Sequence, residues 1–434
     1  MSEVVFLKNL QEIENLISFG NMSGYYNCGD GVSMLLVTGV SENNFSDFLS
    51  DVRKCGYPEV QSSCIDNLFS HTFSCDKGLL IVVFDKAGNE LRIISDNYSA
   101  VLNVDYAIAG KCPVRFWQFE IDHSLIDCGM CYIVQLSDYS FFIVDSAHTY
   151  SVNDDRRIFD FLRQETPPQL PVRVTGWFLS HGHVDHIAKF LDILMYNNEI
   201  TIDGIYYNFV PNDHFSSDSW MQSDKNHTEI FFNEMKKHPE IQMHKLHSGQ
   251  YFYLDCVRFD VLCTHEDVYP ASLENYNDSS TVIMMTVNGD KVCFPGDGGG
   301  EVSRIVERRY PDFLRCDIIQ VAHHGHFGTT SDFYRLTDSK VALFATTKIK
   351  FDEEFEHYEA NKTACSIAEY VFIASDGTVG FSFPLKNSDI DIYKDETFES
   401  FEGIYNLWGY EYSDEKKAEL YNRFKSSINK KIKY

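Results

Sequence analysis

The sequence predicts an α+β protein in which two β-sheets are covered by helices. Three observations carry this. Short apolar runs of strand length recur through the middle of the 434-residue chain, with helix-length stretches between them. Residues 172–179 read as a strand, and Ile187, Phe190, Leu191, Leu194 and Met195 then recur at the helical period. Hydrophobic residues make up 44% and aromatics 15% of the chain, enough for a substantial core. The length exceeds one average domain. The expected division is an N-terminal accessory α/β domain over residues 1–110, a main domain over 111–388 and a helical tail over 389–434.

Each element has its own signal. Residues 33–40 read as a strand and 45–54 as a helix. Runs 79–84 and 90–94 flank Asp85-Lys86-Ala87-Gly88-Asn89, a hairpin turn by composition. No recognisable chemistry falls in this unit, so an accessory or dimerising role is expected. From Val114 the pattern changes to a strand meander over 116–121, 130–136 and 140–145, the last closing on the carboxylate of Asp145. A helix over 155–164, Pro167-Pro168 and the strand 172–179 follow. Further on come a strand over 205–210, a polar loop, and a helix near 229–237. Strands are expected again at 251–254, 257–263, 280–287 and 291–294. In the tail, Ser413 is placed to cap a helix, with Asp414 and Glu415 in its first turn. Leu420, Phe424 and Ile428 form its stripe, and Lys430, Lys431 and Lys433 complement its dipole.

Charge and composition narrow the partners. The formal net charge is −27, from 37 basic and 64 acidic residues. Such a surface repels polyanions, and no long basic run outside the tail offers to displace counterions. Long nucleic acid is therefore disfavoured as a partner. Met1-Ser2-Glu3-Val4 lacks the basic-then-apolar order of a signal peptide, and no run approaches the ~20 apolar residues of a membrane span. A cytoplasmic location with no membrane partner is expected. The 12 cysteines then read mostly as small core residues. The pair Cys128-Gly129-Met130-Cys131 reads as buried thiols, with a redox or zinc role as the alternative.

The run Ser180-His181-Gly182-His183-Val184-Asp185-His186 carries the chemistry. It sits on a strand-to-helix turn, where imidazoles converge. Neutral His and ionised Asp are good ligands for zinc and similar metals. His181 and His183, two apart, point the same way on an extended turn. Asp185 and His186 begin the next helix and face a neighbouring point. This favours two adjacent metals, which clamp attacking and leaving oxygens when ~3.5–4 Å apart.

His181-x-His183-x-Asp185-His186 resembles the signature of the metallo-β-lactamase fold, a four-layer αββα sandwich. Cys293-Phe294-Pro295-Gly296-Asp297 resembles the element whose Asp bridges both metals in that family. Val321-Ala322-His323-His324-Gly325-His326 resembles the one carrying the last His ligand. The resemblance spans roughly residues 112–382. It is closest to the metallo-β-lactamase domain of DNA-uptake competence proteins, through Asn277-Asp278-Ser279-Ser280, Gly296-Asp297 and His323-His324-Gly325. Tyr370-Val371-Phe372 through Asp376-Gly377-Thr378-Val379 resembles that group's closing hairpin. This chain would be a soluble relative.

The resemblance implies a metal set of His181, His183, Asp185, His186, His265, Asp297 and His323. His265 follows a strand and fits the family's middle His position. His323 and His324 compete for the final ligand role. His323 is nearer the strand end and is taken as ligand, leaving His324 to support it or to act on substrate. Asp185 and His324 are the catalytic candidates. His326 and His357 are weaker candidates near substrate; His214, His227, His238, His244 and His247 read as surface or loop histidines.

The expected activity is that of a metal-dependent hydrolase with two divalent ions, zinc first, manganese or iron as alternatives. A phosphodiester of a small, phosphorylated molecule is the leading substrate, cleaved by metal-activated water. Hydrolysis of an ester, thioester or lactam is the enzymatic alternative, and a non-catalytic metal-binding scaffold the other. Homo-oligomerisation is open.

Overall fold

The computed structural model describes residue 10 and residues 12–75, 78–106, 112–123, 125–151, 153–211, 219–271, 273, 276–386 and 390–393. The expected tail helix and His214 lie outside the described residues.

In chain order the strands are β1 (Asn21–Gly29), β2 (Val32–Thr38), β3 (Glu59–Ile65), β4 (Leu68–Cys75), β5 (Gly78–Asp85), β6 (Glu90–Asp96), β7 (Val114–Gln118), β8 (Tyr132–Gln135), β9 (Phe141–Val144), β10 (Val172–Leu179), β11 (Ile200–Ile202), β12 (Gly204–Tyr207), β13 (Gln242–Lys245), β14 (Tyr251–Leu254), β15 (Val257–Cys263), β16 (Val282–Val287), β17 (Asp290–Phe294), β18 (Ile318–Gln320), β19 (Val341–Phe344), β20 (Tyr370–Ile373), β21 (Thr378–Phe383) and β22 (Ile390–Tyr393). The helices are α1 (Glu42–Lys54), α2 (Asp154–Glu165), α3 (Val184–Tyr196), α4 (Ser219–Met235), α5 (Gly300–Arg309), α6 (Ser331–Thr337), α7 (Lys348–Phe355) and α8 (Glu359–Ile367).

The N-terminal strands form an antiparallel six-stranded sheet in the order β1-β2-β6-β5-β4-β3. Strand β1 is rich in Gly, Asn and Ser, β3 is mostly polar, and in β4 Ser, His and Thr break up the apolar residues, so no periodic run announces them. Helix α1 begins at Ser41, whose side chain accepts from the Asn44 N–H while Asn44 returns the bond. Its Phe45, Phe48, Leu49 and Val52 recur on one face and bury against this sheet.

The remaining strands make two further sheets. One has nine strands, in the order β13-β12-β10-β9-β8-β7-β21-β22 with β11 beside β10. The other has seven, in the order β14 through β20. Their strands alternate side chains between two cores. Phe142 and Val144 of β9 face the seven-stranded sheet, packing with Phe252, Phe259 and Phe294. Phe141 and Ile143 face the other way, against Phe161 of α2, Phe190 of α3 and Phe231 of α4. On the far side of the seven-stranded sheet, Val302 and Val306 of α5, Phe333 of α6 and Ala364 of α8 close the core. The layers are therefore helix, sheet, sheet, helix: an αββα sandwich, as the sequence predicts. The N-terminal sheet shares that outer core through Val32, Met34, Ile81 and Val83.

Two expectations change. The segments 370–373 and 378–383 do not form a closing hairpin: β20 pairs with β19 in one sheet and β21 with β7 in the other. The intervening turn crosses between the sheets. His227 and His244 are buried in a helix and a strand rather than on the surface or in a loop, and His247 is in a loop but buried; His244 stacks on Tyr206 at 4.8 Å. Cys112 and Cys256 are paired as a disulfide, with their Cα atoms 6.1 Å apart. Cys28, Cys131, Cys263, Cys293 and Cys316 are buried free thiols. No helix among the described residues is long and apolar enough to cross a membrane.

Candidate metal centre

In the nine-stranded sheet β9 and β10 run parallel, and in the other β17, β18 and β19 do. Parallel strands end on the same edge, so the loops leaving Val144, Leu179, Phe294 and Gln320 meet at one rim of the sandwich. Ligand sites in open α/β sheets gather at such carboxyl ends. Each loop brings one piece of the site.

The first piece is the turn from β10 into α3. His183 is its N-cap in an extended conformation, so His181 and His183 lie before the helix while Asp185 and His186 lie in its first turn. The rings of His181 and His183 are 4.5 Å apart, those of His181 and His186 4.1 Å. Asp145, at the end of β9, holds this turn. Its carboxylate accepts from the Ser180 N–H and Oγ at 2.8 Å each and faces His186 Nδ1 at 2.8 Å. A carboxylate on one ring nitrogen leaves His186 Nε2 aimed at the centre.

The second piece is the turn after β17. Gly296 has φ +59, and a Cβ there would lie 3.0 Å from Ser280 Oγ. Only glycine fits this close approach without strain. The Ser280 Oγ accepts from the Asp297 N–H at 3.0 Å and fixes that residue. The third piece is the loop after β18, where His323 and His324 both take left-handed backbone, φ +51 and +55. That pair of turns sends the two rings apart. His324 Nδ1 bonds the Ala345 carbonyl at 3.0 Å, and its Nε2 lies 3.1 Å from Asp185 Oδ2 and 3.3 Å from Asp297 Oδ2. His323 turns outward, to Asn277 Nδ2 at 2.9 Å and the Phe327 carbonyl at 2.8 Å.

Two overlapping donor sets result. Asp185, His186, Asp297 and His324 each offer one atom, all within 4.8 Å of one another; so do His181, His183 and Asp297. Asp297 belongs to both. Its Oδ2 is 3.2 Å from His186 Nε2 and 3.9 Å from His181 Nε2. Its Oδ1, and the Nε2 of His181, are buried without a hydrogen-bond partner. Orphaned donor atoms facing a common point are costly unless something satisfies them. Imidazole and carboxylate together suit a zinc-type divalent ion.

The electrostatics agree. Burial, with the neighbouring His186 and His183 rings, holds His181 well below its ordinary value, and burial takes His183 down to about 4. Both are neutral and ready to ligate. Burial also opposes charge on His324, but Asp297 and Asp185 outweigh it and hold His324 up at about 9. His186 is likewise held well up, by Asp297, Asp185 and Asp145 against burial. Asp185 and Asp297 are held well below the usual range despite burial, by His186 and His324. Without metal, protons on His186 and His324 supply the positive charge that a dication would bring.

The structure thus brings together His181, His183, Asp185, His186 and Asp297, and departs from the sequence reading at three positions, His323, His324 and His265. His324, read as the supporting or catalytic histidine, stands in the donor set, and His323, read as the ligand, does not; the left-handed turn reverses their order. His265 lies elsewhere, grouped with Cys28 and Glu266 beneath the N-terminal sheet. His326 faces Glu354 at 3.4 Å, and His357 is exposed beside Tyr358.

Other residues at the centre carried weaker signals. Asp145 was visible only as a carboxylate ending a buried strand. Asp224, on α4, accepts from the Val184 N–H at 2.8 Å and lies 3.8 Å from His183 Nε2. Burial raises it to about 8, so it is protonated at neutral pH in the absence of metal. Nothing in its polar surroundings in the sequence marks it. The Cys128 thiol also borders the centre, raised by burial and by Asp185.

Four layers in this order, with metal-capable side chains gathered where the parallel strands end, define the metallo-β-lactamase fold. No protein-family model matches the chain, and no curated protein matches it. Among solved structures it is similar to the metallo-β-lactamase fold protein YhfI from Bacillus subtilis, at 13% identity and TM-score 0.38, over 62% of this chain and 99% of that one. It is also similar to CmlA, a diiron β-hydroxylase from Streptomyces venezuelae, at 9% identity and TM-score 0.30, over 62% and 45% of the chains. A long-form RNase Z from yeast is similar at 10% identity and TM-score 0.31, over 55% and 38%.

Proposed function

We propose that this chain is a metal-dependent hydrolase with a dinuclear, zinc-type centre that cleaves a phosphodiester bond in a small substrate. The observation that carries this is the pair of donor sets sharing Asp297. His181 and His183 would hold one ion, and Asp185, His186 and His324 the other, with Asp297 between them. When bound, such ions lower the pKa of water and stabilise charge developing on a phosphoryl oxygen. Asp145 holds His186 in the orientation the centre needs, and Asp185 is placed to orient or accept a proton from the attacking water. The phosphodiester reading is supported by the likeness of Asn277-Asp278-Ser279-Ser280 and His323-His324-Gly325 to the competence-protein elements. The charge of −27 favours a small phosphorylated substrate over a long polyanion.

The test is purified full-length protein, analysed for metal, against bis-p-nitrophenyl phosphate, a carboxylic ester and a β-lactam. Turnover of the phosphodiester, with His183→Ala losing both turnover and at least one metal per chain, is expected. No turnover with any substrate, together with less than one metal per chain, sinks the reading. Turnover of the ester or lactam alone moves the substrate class and leaves the centre in place.

A further inference from the structure

We infer that a third metal site, formed by Cys28, His265 and Glu266, ties the N-terminal sheet to the αββα sandwich. Cys28 lies in β1. His265 and Glu266 lie in the 3₁₀ turn His265–Asp267 that follows β15. The three residues are fully or almost fully buried, and each offers a donor atom within 4.8 Å of the other two. Thiolate, imidazole and carboxylate are a zinc-type set. This site is separate from the centre around Asp297 and does not depend on what that centre binds.

The surroundings hold the donors in place. The turn is capped by Asp267, which accepts from the Thr264 N–H at 2.8 Å and is itself paired with Arg309 at 2.8 Å. Glu266 is oriented by His247 Nδ1 at 2.8 Å, and His247 Nε2 reaches Asp96 of β6 at 3.1 Å. Lys245 Nζ donates to the carbonyls of Cys28 and Gly29 at 2.7 and 3.0 Å, and its charge bears on both the Cys28 thiol and Glu266. A ligand ordered by groups behind it loses less freedom on binding. The Cys28 thiol gives up its proton to solvent as the metal–sulfur bond forms. Because the site is closed, the ion enters as the sheet docks, during folding.

The test uses the full-length protein expressed in cobalt-supplemented medium. Cobalt bound by a thiolate gives a near-ultraviolet charge-transfer band that imidazole and carboxylate ligands do not. The wild type is expected to show this band. Cys28→Ser and His265→Asn should lose it together with one metal per chain, while Cys128→Ser keeps it. Cys28→Ala keeps the test decisive if serine unsettles the core. Absence of the band in the wild type, its persistence in both Cys28 variants, or its loss in Cys128→Ser would overturn the site. His183→Ala should keep the band, which separates failure here from failure at the first centre.

Discussion

His323 and His324 are neighbours in sequence with opposite surroundings. Two successive left-handed residues, followed by Gly325 at φ +87, put one imidazole into the centre and the other out to Asn277. No pattern of residue types distinguishes them, because both orders satisfy the same motif. The backbone decides. Substituting each with alanine separates the roles. His324→Ala is expected to lose one metal per chain and essentially all turnover. His323→Ala should keep its metal and lose activity by tenfold or less. Metal analysis alongside kinetics checks this, and equal metal loss in the two variants would contradict the geometry. His265 makes the same point in reverse. Its position after a strand matches the expected ligand, yet β1 approaches and gives it Cys28 and Glu266 as neighbours instead.

At the scale of elements, strand β9 pairs with β8, and β8 with β7, as the predicted meander requires, while its neighbours across the sandwich carry no signal in the sequence. Its four residues are all buried, which marks a strand inside a sandwich. Which residue faces which core follows from the period of 2, but what stands opposite does not. Phe142 lies 4.2 Å from Phe259 across the two sheets. Phe142→Ala removes this contact and leaves a cavity at the sheet interface, costing about 3–5 kcal/mol. Denaturant unfolding should show the loss as a lower midpoint with an unchanged slope. The segments 370–373 and 378–383 were the opposite case. The resemblance implies a closing hairpin from Tyr370-Val371-Phe372 through Asp376-Gly377-Thr378-Val379, and only the packing shows that its two arms enter different sheets. Strand β18, of three residues, is too short for any periodicity to announce it.

For the molecule as a whole, the N-terminal sheet is joined to the sandwich by buried charge as well as by apolar packing. Asp85, at the end of β5, lies 2.9 Å from Arg309 of α5, and both are fully buried. Burial works against the Asp85 carboxylate, but Arg309 and Arg308 outweigh it and hold it at about 2, below its ordinary 3.8. A carboxylate depressed in this way adds stability that is complete above its ordinary value and is lost as pH falls through about 2. The contribution is about 2 kcal/mol. Asp85→Asn should therefore be destabilised most near neutrality, with the gap to wild type closing between about pH 4 and pH 2. Thermal melts across that range measure it; a gap that stays constant would show that the pair is not the source.

The sequence by itself determined the fold class, the carboxylate-ended strand and the H-x-H-x-D-H turn, because each rests on local periodicity or on donors within a few residues of one another. Asp297, at the end of a strand, stood out through the resemblance of Gly296-Asp297 to the family's element. The tertiary structure alone decided which histidine faces the centre and where His265 goes. It likewise decided that Asp145 bonds His186, that Asp224 lies beside His183, and how the N-terminal sheet is attached. These depend on backbone turns and on contacts between segments more than 30 residues apart, such as Asp145 with His186 at 41 and Cys28 with His265. Residue types constrain such contacts only weakly, because burial and orientation are properties of the packed whole.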